Sequence, residues 1–322
     1  MDNPISFLHS ALCKLSEGTP LKKLQQDYQK ISQSYKHSNF SLPFSPSLCL
    51  SYAMARMPAT LYAQIKVWKE FEKEISNQDT SFSLVDLGSG PGTSLWALAK
   101  KNWVKKITLM EKSTPFIDLS KQLATANNYV QSSHFKVKYL QGDISTDSIP
   151  SADIVLASYC LNELPDKKNK IKNIWQAAKQ YIVLIEPGTP ENFQKMLSIR
   201  NFFISHGATI VAPCPGNIQC PLEKVKDTWC HFRTKLPRHK NHIYIKSAKL
   251  PFEEEPYFYL IAKKNKSIST TSVKKRIISA VRKTKIEAST LLCTQQGLEK
   301  FSISKKEKLY KLFIKKHWGD TL

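Results

Sequence analysis

Two groups of residues in this chain have the types and spacing to do chemistry. The first is Asp86-Leu-Gly88-Ser-Gly90-Pro-Gly92. A short apolar run at 82–85 precedes it and reads as a buried strand, and an amphipathic helix follows from about Thr93. Strand, glycine turn and helix are the parts of a nucleotide-binding βα unit. The glycines allow backbone angles that side chains forbid and let a ligand come close to the main chain. The strand-end acid suits a cationic ligand. The second group is Cys214, Cys220 and Cys230, set among prolines and a tryptophan. Disulfides are disfavoured in a cytosolic enzyme-like chain, which makes a metal the natural alternative. The spacing C-x5-C-x9-C matches neither a standard zinc finger nor a ferredoxin. A fourth ligand is needed, and Cys293 and His231 are the candidates.

The glycine loop narrows the choice of nucleotide. No Lys-Ser/Thr follows the glycines, which excludes a phosphate-cradling P-loop. A dinucleotide fingerprint places its key acid at the end of the second strand, whereas here an acid precedes the first glycine. The pattern resembles the first motif of class I S-adenosylmethionine-dependent methyltransferases. That resemblance implies that Gly88, Gly90 and Gly92 pack against the methionyl and ribose parts of the cofactor. It also implies that Asp86 orients the loop and meets the cofactor's ammonium, directly or through water.

Two further acids sit where such a fold would use them. Glu111 closes a strand at 106–111, where a carboxylate can accept from both ribose hydroxyls. Asp143 follows a strand at 135–140, where methyltransferases of this class place an acid near the adenine amine. Each could instead be a helix cap or a surface charge. Ser158 opens the segment Ser158-Tyr-Cys-Leu-Asn-Glu-Leu-Pro165, which faces the methyl donor in enzymes of this fold. This segment lacks the Asn/Asp-Pro-Pro-aromatic signature of amino-methylating enzymes. Cys160 lacks the preceding proline of a cytosine carbon-5 nucleophile and reads as a buried structural thiol. No residue stands out as a catalytic base, so catalytic residues stay unassigned.

The elements that position these residues follow from periodicity. Residues 1–76 read as a helical layer, with stripes Leu8, Leu12, Leu15 and Leu21, Leu24, Tyr28, Ile31, Tyr35. Prolines 43 and 46 mark a loop over 37–50, and Pro58 fits the first turn of a helix carrying Leu61, Ile65, Trp68 and Ile75. From 82 to 213 strands at 82–88, 106–111, 135–140, 152–158, 181–186 and 208–213 alternate with helices at 93–101, 114–127, 167–179 and 190–206. That alternation implies a mostly parallel sheet covered on both faces, with ligands beyond the carboxyl ends of the strands. The expected fold is α/β, a class I S-adenosylmethionine-dependent methyltransferase (Rossmann-like) sheet. It carries an N-terminal helical layer (1–76), a cysteine-rich metal-binding insertion before the last strand (214–255) and a basic C-terminal extension (265–322). The methyltransferase-like part covers 77–213 plus 256–264.

Composition limits the partners. The 322 residues are 41% hydrophobic, enough for a real core, and no apolar run reaches the roughly 18 residues of a spanning helix. Neither a secretory nor a clear transit peptide is visible, so the cytoplasm is the simplest location and the mitochondrial matrix the alternative. The net charge is +22 and uneven. Residues 1–223 hold 24 Lys/Arg against 18 Asp/Glu, and residues 224–322 hold 24 against 8. Such asymmetry favours a polyanionic partner. Nucleic acid fits better than a membrane, because no basic amphipathic helix is flanked by interfacial aromatics. Trp229, Phe232, Arg233, Lys235, Arg238, His239, Lys240 and His242 make an aromatic and basic stretch beside the cysteines.

Taken in order, further motifs join these. They are Arg56-Met-Pro-Ala-Thr60, Asn162-Glu-Leu-Pro165, Glu186-Pro-Gly-Thr-Pro190, Ala212-Pro-Cys-Pro215, Cys220-Pro, Trp229-Cys-His-Phe232 and Trp318-Gly-Asp320. Together with the glycine loop they resemble the methyltransferase-like small-ribosomal-subunit assembly family of bacteria and mitochondria, over about residues 50–322. The resemblance implies association with small-subunit rRNA and ribosomal proteins during assembly. It also implies a [4Fe-4S] cluster on Cys214, Cys220, Cys230 and Cys293, with zinc as the alternative. Family members often have a histidine two residues after the first cysteine, where this chain has Gly216. Three functions follow: an rRNA-bound assembly factor that binds S-adenosylmethionine, an active rRNA methyltransferase, or a small-molecule methyltransferase. The basic last third argues against the third.

Overall fold

The computed structural model describes residues 3–36, 43–76, 80–163, 167–225, 228–264 and 275–322. Leu164 and Pro165 of the segment after the fourth strand, residues 37–42 of the expected 37–50 loop and residues 265–274 of the basic extension lie outside them. The elements run α1 (Pro4–Ser16), α2 (Leu21–Lys36), α3 (Pro46–Ile75), β1 (Phe82–Leu87), α4 (Thr93–Leu98), β2 (Val104–Glu111), α5 (Thr114–Thr125), α6 (Asn128–Gln131), β3 (Lys136–Gln141) and β4 (Ala152–Ser158). They continue α7 (Lys167–Ala177), β5 (Ala178–Pro187), α8 (Pro190–Ser205), β6 (Thr209–Ala212), β7 (Phe232–Pro237), α9 (Lys240–Ile245), β8 (Phe252–Lys263), β9 (Lys275–Ile277), β10 (Arg282–Lys283), β11 (Glu287–Thr294), β12 (Gly297–Ser304) and α10 (Tyr310–Phe313). The chain divides into two compact units. One holds residues 1–68, 79–179 and 235–255, and the other holds 69–78, 180–234 and 256–322.

In the first unit four parallel strands lie in the order β3-β2-β1-β4. Leu84, Val85, Ile107, Leu109, Ile154 and Leu156 are fully buried, as expected of parallel strands covered on both faces. The register matters most. Leu87 pairs with Met110 on one side and Ala157 on the other, and Glu111 pairs with Gln141. The carboxyl ends of all four strands therefore finish level, and the residues just beyond them share one edge of the sheet.

Helix α3 differs from the sequence expectation. It starts at Pro46, so Pro58 lies inside it and not in its first turn. Pro46 takes the entry position, where a missing N–H costs nothing. Pro58 removes one internal hydrogen bond, but strong helix formers at 53–57 and burial of Met54, Met57 and Leu61 carry the helix through. Arg56 of this helix donates to Glu255 at 2.9 and 3.3 Å, which fixes α3 to the start of β8 within the same unit.

In the second unit β8 pairs antiparallel with both β5 and β6. The strand orders of the two units are those of the two parts of a class I methyltransferase fold. Residues 275–322, expected only as a basic extension, contain a second antiparallel sheet in the order β10-β11-β12 with β9 on β11. Ala288, Ile303 and Phe313 form its small core. Among the described residues no helix is long and apolar enough to cross a membrane.

Candidate functional site

The level strand ends of the first unit build one pocket. Its lining includes Asp86, Gly88, Gly90, Glu111, Asp143 and Ser158, six of the seven residues expected to meet a cofactor. The seventh, Gly92, is not part of the lining. It has φ +76°, and a Cβ there would lie 2.1 Å from the Ser120 hydroxyl of α5, so its role is close packing of the loop on a helix. Gly90, at φ +52°, has no atom within 4 Å of its Cβ direction and leaves the backbone open to the pocket.

The carboxylates are deeply buried. Asp86 is 2% exposed and accepts a hydrogen bond from Ser94 at 2.6 Å. Burial pushes its carboxyl up to about 7, against the Ser94 bond and with help from the charge of Glu111. Glu111 is 7% exposed and accepts from the backbone N–H of Gly90 and of Ser113, both at 2.9 Å. It too is raised, because burial outweighs those two bonds. Among the described residues neither acid has a Lys or Arg within ion-pair distance. Asp143 is more open. Burial raises it, but the hydroxyl and N–H of Ser145 and the nearby lysines bring it below the usual carboxylate range.

Helix α3 adds a residue that sequence reasoning missed. Gln64 is 1% exposed, lines the pocket and donates from Nε2 to the Ser158 hydroxyl at 3.2 Å. Its Oε1 is buried without a hydrogen-bond partner. Only the tertiary placement of α3 reveals it, since glutamine on a helix carries no signal. Phe44, Tyr52 and Phe116 form an aromatic wall, with ring centroids 4.8 to 6.1 Å apart. Tyr159, just after β4, takes φ 58°, a left-handed angle that L side chains rarely adopt. Cys160 donates to the Leu87 carbonyl at 3.2 Å and is buried, the structural thiol expected.

In the second unit Cys214, Cys220, Cys230 and Cys293 line a single small, almost wholly apolar cavity. Cys293 comes from β11, and the other three come from the segment between β6 and β7 and its end. The other fourth-ligand candidate, His231, is not in the lining. Its ring packs between Trp229 and Trp318, at 5.1 and 4.5 Å, and bonds the Trp229 carbonyl. Burial raises the Cys220, Cys230 and Cys293 thiols, Cys293 to about 12, and neighbouring cysteines add to each shift. Among the described residues no group of three or more His, Cys, Asp or Glu is arranged to hold a metal ion.

Two buried arginines that sequence reasoning also missed complete the lining, Arg200 of α8 and Arg276 of β9. Arg276 is 1% exposed and donates to the carbonyls of Pro213 and Gly319 and to Glu70 at 2.7 Å. The expected aromatic and basic stretch is not exposed throughout. Phe232 and His242 are buried, and Arg238 pairs with Glu253, while Arg233, Lys235 and Lys240 are exposed.

Comparison with solved structures returns methyltransferases at low identity. One is magnesium protoporphyrin IX methyltransferase from Synechocystis, at 11% identity and TM-score 0.43, over 74% of this chain and 100% of that one. Another is a SAM-dependent methyltransferase from Aquifex aeolicus, at 15% identity and TM-score 0.42, over 68% and 98%. A third is precorrin-6y C5,15-methyltransferase from Geobacter metallireducens, at 14% identity and TM-score 0.38, over 65% and 87%. No curated protein sequence matches the chain. A family model does match, over residues 46–322, from the first residue of α3 through both sites to the last residue. The chain belongs to that family, described as mitochondrial small ribosomal subunit Rsm22.

Proposed function

We propose that this protein is an rRNA-associated assembly or translation factor of the small ribosomal subunit, binding S-adenosylmethionine in the strand-end pocket and a [4Fe-4S] cluster on its four cysteines. One observation carries the cofactor reading. Two buried carboxylates, Asp86 and Glu111, face one pocket with no Lys or Arg in ion-pair contact among the described residues, Lys112 of the lining acting on Glu111 only from a distance. Buried charges are rarely left so, and a cationic ligand resolves the cost. Gln64 Oε1 adds an unspent acceptor for a ligand N–H or O–H. In this reading Asp86 meets the ammonium, Glu111 the ribose hydroxyls and Asp143 the adenine amine. Ser158 and Gly90 bound the methionyl part, while Gly88 and Gly92 shape the loop. When bound, S-adenosylmethionine supplies an electrophilic methyl on sulfur.

The cysteine reading rests on chemistry and placement. Four soft donors around one apolar cavity suit iron–sulfur or zinc. A single zinc would draw its sulfurs to about 2.3 Å from one centre. Metal analysis tells zinc from a [4Fe-4S] cluster, which would take the four thiolates on four separate iron atoms. Cys214, Cys220, Cys230 and Cys293 would be its ligands.

The family's description supports the small subunit as partner and the mitochondrial matrix over the cytoplasm. The excess of Lys and Arg in residues 224–322 supports an rRNA contact. The test is anaerobic purification with iron, sulfide and zinc analysis, followed by co-sedimentation with small-subunit particles. Iron with sulfide, together with salt-sensitive binding, is expected. Zinc alone overturns the cluster, and failure to sediment overturns the partner. Labelled methyl appearing in the rRNA would make the protein an active rRNA methyltransferase.

A further inference from the structure

Arg200 is a buried guanidinium without a carboxylate. It sits in α8 and is 2% exposed. Its Nε donates to Cys214 Sγ at 3.3 Å, and Nη2 donates to the carbonyls of Gly216 and Ile218 at 3.0 and 2.7 Å. Nη1 reaches the Asn201 side-chain oxygen at 3.3 Å. Among the described residues no Asp or Glu pairs with it. Arg276, also in the lining of the cysteine cavity, contrasts sharply, because Glu70 balances its charge.

Carbonyl and amide oxygens satisfy the N–H groups of Arg200 but carry no countercharge. An arginine cannot shed its proton to escape the cost of burial. The folded protein must therefore bring an anion to it. Among the described residues the one atom in contact with Arg200 that can carry a full negative charge is Cys214 Sγ. Its two carbonyl contacts also span the turn between Cys214 and Cys220, so the same side chain sets the path of the chain between two sulfurs.

We infer that Arg200 is the counter-cation and positioning residue of the anionic group held by Cys214, Cys220, Cys230 and Cys293, an inference that rests on the cysteine-site reading above. The planar fork bonds a sulfur and two carbonyls at once, which a lysine cannot reproduce. Neutral glutamine keeps hydrogen bonding but loses the charge.

The test uses full-length protein purified anaerobically as wild type, Arg200→Lys and Arg200→Gln. Bound iron or zinc, the rate of metal loss to a chelator, the midpoint potential of any iron cluster and melting of loaded and metal-stripped forms are measured. R200Q is expected to lose metal at least tenfold faster than wild type and to shift the potential of a cluster to more negative values. R200K is expected to lose metal faster with a smaller potential shift. Stripped R200Q is expected to melt no lower than stripped wild type, because the countercharge is needed only when the anion is present. Equal release rates, or equal destabilisation of loaded and stripped forms, would mean an ordinary structural arginine and overturn the inference. Wild type that binds neither iron nor zinc would overturn the cysteine-site reading, and this inference with it, before any variant is compared.

Discussion

Single residues in the strand-end pocket make opposite demands of pH. With its carboxyl near 7, Asp86 is largely protonated at pH 6 and ionised at pH 8. A cationic ligand needs the ionised form, so affinity for S-adenosylmethionine should rise by up to tenfold per pH unit up to about 7 and then level off. Stability of the free protein runs the other way. The folded state holds a proton that the unfolded state releases near 4, so stability falls as pH climbs from about 4 to about 7. Asp86→Asn should flatten both curves. Calorimetric titration and thermal melts across pH 5.5 to 8 check them, and parallel curves would argue against the assignment. Asp86, Glu111 and Asp143 were legible in the sequence because strand-end acids follow a pattern. Gln64, Arg200 and Arg276 were not, because their neighbours come from distant segments.

At the scale of elements, alternation located the parallel strands to within about two residues of their observed ends. Strand 152–158 agrees throughout. The reading failed where a local rule met a tertiary one. Pro58 signalled a helix start, yet burial on both sides of it kept α3 continuous. In β11 every second residue is buried, which is a strand pattern, but the run is short and lies within a strongly basic segment, 265–322. Arg276 ties this second sheet to Glu70 at the end of α3 within one unit. Arg276→Met should destabilise the fold by about 3 kcal/mol, since it removes the buried donor to the Pro213 and Gly319 carbonyls and leaves Glu70 with Lys73 as its remaining cation. Adding Glu70→Gln should cost little more. A denaturant double-mutant cycle reads the coupling, and additive losses would deny it.

For the whole molecule, the sites divide the work. One compact unit holds the strand-end pocket, and the other holds the cysteine cavity and most of the basic residues of the last third. Lys305, Lys306 and Lys308 are exposed beside the second sheet. Reversing all three to Glu should weaken binding to small-subunit particles and reduce its salt dependence by about one logarithmic unit per lost phosphate contact. An unchanged salt slope would place the RNA contact elsewhere. The central claim is that the glycine loop with its buried acids holds S-adenosylmethionine, and calorimetric titration of that cofactor into wild type and Gly90→Asp tests it most directly. One-to-one binding by wild type is expected, and its loss in a variant that still melts cooperatively at a somewhat lower temperature, since a Cβ at Gly90 meets only open pocket and the cost is that of a left-handed φ of +52°. Wild type that does not bind, or a Gly90→Asp variant that binds as well, would contradict the claim.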